Sequence, residues 1–197
     1  HPFGPNIDGQ LIPNNLTQLL EEGSFNNIDL MIGSNKNEDY MYIDENVTEN
    51  DIDKLIERYY PEQKDTLLAL LNLEDPRLAM DHLTTNQVTL CPSVFIARSL
   101  AKNGNNVYQY HFTRRREGSE KILSYHGAEI PYVFNTHDEW LPTNEDDIEL
   151  TKAMMEYWTE FAKKGTPNSI NNPTWKEFGI EENYLILDQT LENSNKL

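Results

Sequence analysis

Cysteine is almost absent from this sequence: Cys91 is the only one among 197 residues. A single cysteine excludes an internal disulfide and any zinc site built from several cysteines. Long apolar runs are missing as well, and none approaches the roughly 18 residues that a membrane-spanning helix needs. We therefore expect no membrane span. We also expect Cys91, which precedes Pro92 in an apolar stretch, to be a buried and inert thiol.

Positive charge is also scarce. The chain has 16 lysine and arginine residues against 33 aspartate and glutamate residues, and its formal net charge is −17. Such a chain repels phosphate groups, so a nucleic acid is not expected as a partner, and an anionic membrane surface is disfavoured for the same reason. The basic run Arg114-Arg115-Arg116 is interpreted as a solvated loop, because three charges in so acidic a chain make a poor nucleic-acid site.

The residues that are present indicate strands separated by helices. Short apolar or alternating runs predict strands at 28–33, 107–112 and 184–187. This order is typical of an α/β fold with a mostly parallel sheet, but three strands are too few for a complete doubly wound sheet. Apolar periodicity and terminal signals predict helices at about 15–20, 50–60, 67–71, 76–90, 92–103 and 145–164. Pro92 is expected to cause a break between the fourth and fifth of these helices. The apolar face of the last helix is predicted to consist of Met154, Met155, Trp158, Phe161 and Ala162.

Two side chains stand out as a candidate acid and base. Glu38 follows the first predicted strand at its C-terminal end, where open α/β sheets place ligands and chemistry. His126 lies in a loop beside Gly127, and a glycine lets the backbone approach a site closely. Taken alone, each residue is more typical of an exposed or structural role. Together they follow the chain order of the acid and the histidine in a triad that begins with serine, but no G-x-S-x-G motif is present to supply that serine.

No other residues form a recognisable metal or nucleophile pattern. The five histidines include no H-x-x-x-H or H-E-x-x-H spacing. The triplet His137-Asp138-Glu139 could suggest a set of metal ligands, but a solvated loop is the more typical structure for it. We therefore expect no metal site.

Four motifs occur in order along the chain, and they carry a family resemblance. They are Phe3-Gly-Pro-Asn-Ile-Asp-Gly9, the stretch 23–38 that ends in I-G-S-N-K-N-E, the stretch 126–134 with the sequence H-G-A-E-I-P-Y-V-F, and the stretch 158–168, which Trp175 follows. In these motifs the chain resembles the C-terminal portion of the type-B carboxylesterases, the family of cholinesterases and bacterial para-nitrobenzyl esterases. The similarity covers nearly the whole chain.

The resemblance implies a fold, a site and an activity. Residues 1–197 would be the C-terminal portion of a single α/β-hydrolase domain, incomplete here, whose N-terminal portion with the nucleophile lies outside this chain. Glu38 would be the triad acid and His126 the triad base, with Met41 and Tyr42 lining the substrate gorge. The activity would be hydrolysis of small carboxylic esters through an acyl-serine, without a cofactor. The first residue, His1, is not a methionine, which agrees with a piece of a longer protein and leaves its compartment open.

Departures from the family pattern narrow the expected specificity. Met41 and Ala128 stand where cholinesterases have aromatic residues around a quaternary ammonium, and without that π surface cation recognition is weaker. A general, bacterial-like esterase is therefore favoured over a choline esterase.

Two other departures from the family pattern do not concern specificity. Asn86 stands where the family commonly has aspartate. Cys91 occupies the position of a cholinesterase disulfide cysteine, whose partner would lie near or beyond Leu197.

Two other hypotheses remain open at this point. The whole protein could be a non-catalytic member of the family that acts in binding, as the neuroligin-like adhesion proteins do, although the presence of both Glu38 and His126 argues against this. The chain could also be an independent acidic interaction module. However, half of a parallel sheet would expose an unpaired strand edge, so we expect the isolated chain to be poorly soluble or molten.

Overall fold

The computed structural model describes residues 5–195, and His1, Phe3 and Gly4 lie outside this range. Within it, four strands form one sheet in the order β1-β2-β3-β4. β1, β2 and β3 run parallel to one another, and β4 pairs antiparallel with β3. The bounds are β1 Leu30–Asn35, β2 Val107–Phe112, β3 Tyr184–Leu187 and β4 Glu192–Ser194.

The predictions for β2 and β3 are confirmed at both ends, whereas β1 begins and ends two residues later than predicted. The shift arises because Ser34 and Asn35 continue the ladder with β2, although their polar side chains broke the apolar run in the sequence. The short strand β4 was not predicted, because a polar three-residue edge strand has no hydrophobic pattern.

The described residues contain seven α-helices and three short helical segments. The α-helices are α1 Leu16–Glu21, α2 Glu49–Tyr59, α3 Lys64–Leu70, α4 Pro76–Thr85, α5 Cys91–Lys102, α6 Ile130–Phe134 and α7 Glu145–Lys164. The short segments are 3-10 helices at Tyr40–Tyr42 and Pro61–Gln63 and a π-helix at Asn86–Leu90.

The predicted break at Pro92 is wrong, because α4, the π-helix and α5 form one continuous helical stretch. Pro92 lies in the first turn of α5, directly after the π-helix, where the amide of Cys91 donates to the carbonyl of Asn86. A proline has no amide hydrogen to donate, and the wider π turn accommodates this loss without ending the helix.

Cys91 is exposed, so the prediction of a buried thiol is also wrong. The buried face of α5 is formed by residues spaced for helical periodicity, among them Ser93, Ala97 and Leu100. Cys91 precedes Ser93 by two positions and therefore points to the opposite side of the helix.

Helices cover both faces of the sheet. On one face, Trp175 is fully buried against α7, and its indole nitrogen donates to the carbonyl of Gln109 at 3.0 Å. On the other face, α5 packs through Ala97 and Leu100 against Val107 of β2. Successive side chains of β2 point to opposite faces of the sheet, so Tyr108 and Phe112 belong to the first core and Val107 to the second.

The long helix α7 has the predicted bounds and a mostly correct apolar face. Asn144 and Asp147 form a capping box at its start, and Gly165 ends it. Met154 is fully buried as expected, and Trp158 and Phe161 are partly buried, but Met155 is 38% exposed and Ala162 is exposed as well. The side chain of Tyr157, which was not predicted on this face, is fully buried.

Of the three consecutive arginines, one is buried and one is partly buried, which contradicts the predicted solvated loop. Arg116 is only 5% exposed and donates to the carbonyls of Asp138, Leu141 and Pro142. Arg114 donates from Nε to Oδ1 of Asp147 at 2.7 Å. Both guanidinium groups satisfy acceptors that only the tertiary fold brings to them, and Arg115 alone is exposed.

Asp147 connects the start of α7 to the segment that carries the candidate base. It is fully buried and accepts from Arg114, from the hydroxyl of Tyr132 and from the backbone of Asn144. Burial by itself raises the pKa of Asp147, but these hydrogen bonds outweigh it and hold the pKa below its ordinary value. The carboxylate therefore contributes stability at neutral pH that is lost as the pH falls through this lowered value.

We expect Asp147→Ala in the full-length protein to lower the free energy of unfolding by about 3 to 5 kcal/mol, because it leaves the buried Arg114 charge without its partner. Chemical denaturation at pH 7 measures this loss. The exposed Glu149→Ala on the same helix is the control and should change stability by no more than about 0.5 kcal/mol. Equal stability of the two variants would contradict the assignment of a structural role to Asp147.

Candidate active site

Glu38 lies three residues beyond the C-terminal end of β1. One carboxylate oxygen, Oε1, accepts from the backbone amide of Asn35 at 2.7 Å, which closes a tight turn over the end of the strand. The residue is only 7% exposed. The other oxygen, Oε2, lies 2.8 Å from Nδ1 of His126, so the turn directs the carboxylate toward the imidazole.

His126 is carried by a turn between β2 and α6. Gly127 follows it with a φ of 84°, a left-handed conformation that favours glycine. This turn points the imidazole toward Glu38 and leaves its side chain 68% exposed. Because Nδ1 is engaged by the carboxylate, Nε2 is the nitrogen that faces outward.

The sheet is what brings these two residues together across 88 positions of sequence. β1 and β2 are adjacent and parallel, with Asn35 opposite Phe112 in the register. The pairing continues one step further, since the amide of Lys36 donates to the carbonyl of Phe112 at 2.9 Å. Both strands therefore end at the same edge, and the segments that leave them meet there.

Asn35 links the acid turn to the base turn. Its side-chain amide donates to the carbonyl of Tyr125 at 2.8 Å and to Oε2 of Glu129 at 2.5 Å. These two acceptors flank His126 in the sequence, so one buried amide fixes the turn on both sides of the imidazole.

A second set of buried polar contacts was not predicted from the sequence. Asn37 donates from its backbone to the carbonyl of Ser124 at 3.1 Å and from its side chain to Oδ2 of Asp81 at 2.7 Å. Asp81, on α4, is fully buried. Asn37 stood within a family motif, but Asp81 had no sequence signal beyond an aspartate in an amphipathic helix.

The charges of the pair support each other. Burial raises the pKa of Glu38 above its ordinary range, and hydrogen bonds from Asn35 and His126 oppose that rise. The hydrogen bond to Glu38 raises the pKa of His126, with partial desolvation opposing it and with Glu129 and Asp39 adding to it. The carboxylate therefore favours a protonated imidazole, which is what an acid that orients and stabilises a catalytic histidine does.

Gly33 allows the strands to pack closely beneath the site. A Cβ atom at this position would collide with the backbone carbonyl and the ring of Tyr110 on the neighbouring strand. The collision involves backbone, so a larger residue would displace β1 just before the turn that carries Glu38.

Met41 and Tyr42, which the resemblance implies as gorge lining, lie in the 3-10 helix that follows Glu38. Met41 is partly buried, and Tyr42 is 67% exposed. Their place next to the acid is compatible with lining a site, and their role remains a prediction.

Two other histidines, His137 and His111, have surroundings different from those of His126. The triplet 137–139 lies in a loop as predicted, and Asp138 and Glu139 are exposed. His137 is partly buried, because it contacts the hydroxyl of Thr151 at 2.7 Å and packs edge-on against Tyr132. Burial lowers the pKa of His111, on β2, to about 4. Within residues 5–195, no group of three histidine, cysteine, aspartate or glutamate side chains is arranged to hold a metal ion. No helix in that range is long and apolar enough to cross a membrane.

An imidazole held by a buried carboxylate at Nδ1 can accept a proton at Nε2 from a hydroxyl nucleophile. No hydrogen bond among the described residues joins Nε2 of His126 to a serine. The described residues thus bring a carboxylate and an imidazole together, with no serine hydrogen-bonded to the second ring nitrogen.

The chain is similar in sequence to proteins of known families. The model of the Carboxylesterase family matches residues 1–197. Neuroligin-3 of Mus musculus is 32% identical in an alignment 198 positions long, which covers 84% of this chain and 24% of the relative. Carboxylesterase 1E of Mus musculus is 29% identical, and the match covers 100% of this chain and 40% of the relative.

Solved structures show the same fold. A thermophilic PNB esterase matches with a TM-score of 0.79 at 22% identity, over 98% of this chain and 41% of the solved chain. A second PNB esterase matches with a TM-score of 0.77 at 24% identity, over 97% of this chain and 41% of the other. The expected α/β-hydrolase fold is confirmed, and the chain spans less than half the length of these proteins.

We expect Glu38→Gln to lower the pKa of His126, because the neutral amide no longer stabilises the imidazolium. Titration of the imidazole resonances by NMR in the full-length protein measures this shift. Glu62→Gln, an exposed change in the 3-10 helix Pro61–Gln63, is the matched control and should leave the titration of His126 unchanged. A pKa of His126 that is the same with glutamate and glutamine at position 38 would contradict the geometry.

Proposed function

The chain belongs to the carboxylesterase family, and we propose that it supplies the acid and the base of a serine carboxylesterase. The contact of 2.8 Å between Oε2 of Glu38 and Nδ1 of His126 is the observation that supports this most directly. In this proposal residues 1–197 are the C-terminal portion of a single catalytic domain. The nucleophilic serine and the oxyanion hole belong to the portion outside this chain.

The proposed reaction has two halves. The serine hydroxyl attacks the ester carbonyl while Nε2 of His126 accepts its proton, and the tetrahedral intermediate collapses as the imidazolium returns that proton to the leaving alcohol. Water then attacks the acyl-serine by the same proton transfers, which releases the carboxylic acid and restores the serine. Glu38 holds the imidazole in position and stabilises its charged form. No cofactor takes part.

The substrate class is a small, uncharged carboxylic ester. Met41 and Ala128, which stand near the proposed acid and base in the sequence, present no aromatic face to a cation. Met41 and Tyr42 follow the acid directly and are proposed to line the substrate side of the site.

A binding protein of the same family, which performs no chemistry, is the second candidate. The 32% identity to neuroligin-3 is the observation that favours it. A protein without catalysis has no need to hold Glu38 buried against His126, and this is why the esterase is the first proposal. The two candidates differ in whether a serine faces Nε2 of His126 in the whole protein.

We expect the full-length protein to hydrolyse a short-chain para-nitrophenyl ester and residues 1–197 alone to be inactive, because the nucleophile is missing. In the full-length protein, His126→Ala and Glu38→Gln should each lower kcat by about 10²- to 10⁴-fold. His82→Ala, outside the site, is the control and should retain activity. Turnover by residues 1–197 alone that His126→Ala abolishes would contradict the proposal, as would full activity of the full-length His126→Ala variant.

We expect kcat/KM of the full-length enzyme to fall as the pH falls through the pKa of His126, because only the neutral imidazole accepts a proton. The contact with Glu38 raises that pKa above its ordinary value of 6.5, so the decline should begin above pH 6.5. A pH–rate profile of ester hydrolysis measures it. A rate that stays constant down to pH 4 would rule out His126 as the base.

A further inference from the structure

Asp81 is a buried carboxylate that the reaction itself does not use. It lies on α4 and is fully buried. It makes hydrogen bonds to three groups: the side-chain amide of Asn37 at 2.7 Å, the backbone amide of Asp39 at 3.1 Å and the hydroxyl of Thr85 at 3.1 Å. Two of these donors belong to the residues immediately before and after Glu38.

We propose that Asp81 is a positioning residue that acts through Asn37 and Asp39 to hold Glu38 against His126. This inference rests on the proposed function of that pair. The Asp81 carboxylate hydrogen-bonds neither Glu38 nor His126, so it acts only through the turn. Because both neighbours of Glu38 donate to one buried carboxylate, any movement of Asp81 changes where the acid points.

The same network extends to the base. Oδ1 of Asn37 accepts from the backbone amide of Ser124 at 3.4 Å, and the backbone amide of Asn37 donates to the carbonyl of Ser124 at 3.1 Å. Ser124 precedes His126 by two residues. Its hydroxyl oxygen lies 3.1 Å from the carbonyl oxygens of both Phe112 and Arg114, between which its single hydrogen is shared, and this contact anchors the segment to the end of β2.

The direction of each hydrogen bond follows from the charge on Asp81. A carboxylate can only accept, so it requires the NH2 group of Asn37 to face it. The amide oxygen of Asn37 then faces Ser124, where the backbone amide needs an acceptor. Asp81 thus selects the one orientation of Asn37 that joins the acid turn to the base segment.

This logic predicts the behaviour of two single variants. The asparagine amide in Asp81→Asn has one oxygen that accepts and one NH2 group that only donates. This NH2 group must face either the NH2 group of Asn37 or the backbone amide of Asp39, so two donors meet without an acceptor. In Asn37→Asp, two carboxylates face each other in a buried site. Either change leaves buried groups without partners and loosens the turn that carries Glu38.

The double variant Asp81→Asn with Asn37→Asp should repair the network. The NH2 group of the new asparagine donates to one oxygen of the new aspartate, and the other oxygen of that aspartate accepts from the amide of Ser124. The oxygen of the new asparagine still accepts from Asp39 and Thr85. Every donor then has an acceptor again, and the net charge of the protein is unchanged.

The experiment compares these three variants in the full-length protein with Thr84→Val, on the same helix, as the matched control. That control removes a hydroxyl that donates only to backbone carbonyls of α4, so it leaves the hydrogen bonds of the Asp81 carboxylate in place. The readouts are kcat and KM for a short-chain para-nitrophenyl ester, the thermal midpoint, and the NMR resonance of the Nδ1 proton of His126, which reports its bond to Glu38.

We expect each single variant to lower kcat by about 10- to 100-fold with KM changed by no more than about twofold, since small displacements of a catalytic group have effects of this size. The Nδ1 proton resonance of His126 should weaken or shift in both. The double variant should recover kcat to within about threefold of the wild type and restore the resonance. Thr84→Val should leave kcat and the resonance unchanged.

Several results would overturn the inference. One is a folded Asp81→Asn variant with unchanged kcat and resonance, and another is a double variant no better than the worse single variant. If a single variant fails to fold, recovery of both folding and the resonance in the double variant supports the proposal, and failure of the double variant refutes it. A wild-type protein without esterase activity would refute the proposed function, while the resonance would still test the positioning by Asp81.

Discussion

The parallel pairing of β1 with β2 is the constraint on which the candidate site depends. It places the end of β1 beside the end of β2, and the residues that follow each strand are held at one edge of the sheet. Gly33 permits this pairing at close range, because any side chain there would meet Tyr110. Without it, Glu38 and His126 would be two unrelated loop residues.

Buried amides convert that proximity into a defined geometry. Asn35 connects the strand end to both sides of His126, and Asn37 connects the acid turn to Ser124 and Asp81. These side chains are expensive to bury unless their hydrogen bonds are satisfied, so their contacts specify one arrangement rather than several. Glu38 gains from this as well, since its burial is compensated by an amide and an imidazole.

Much of the fold follows from local sequence, and most of the site's support does not. The bounds of β2 and α7 were predicted because alternation, caps and a terminal glycine are local signals. The continuous helix through Pro92, the burial of Arg116 and the contacts of Asp81 depend on groups far away in sequence. Glu38 and His126 stood out as a candidate acid and base by their positions and chain order, but only the family motifs favoured that role over an exposed or structural one, because a lone carboxylate and a loop histidine have no distinguishing pattern of their own.

The most direct test of the account is covalent labelling of the full-length protein with a fluorophosphonate, followed by mass spectrometry of its peptides. A serine activated by His126 displaces fluoride and forms a stable phosphonate ester. The account predicts one adduct per molecule, on a serine outside residues 1–197, and much slower labelling in His126→Ala. No adduct, or equally fast labelling in that variant, would contradict a catalytic role for the pair and would favour a binding protein.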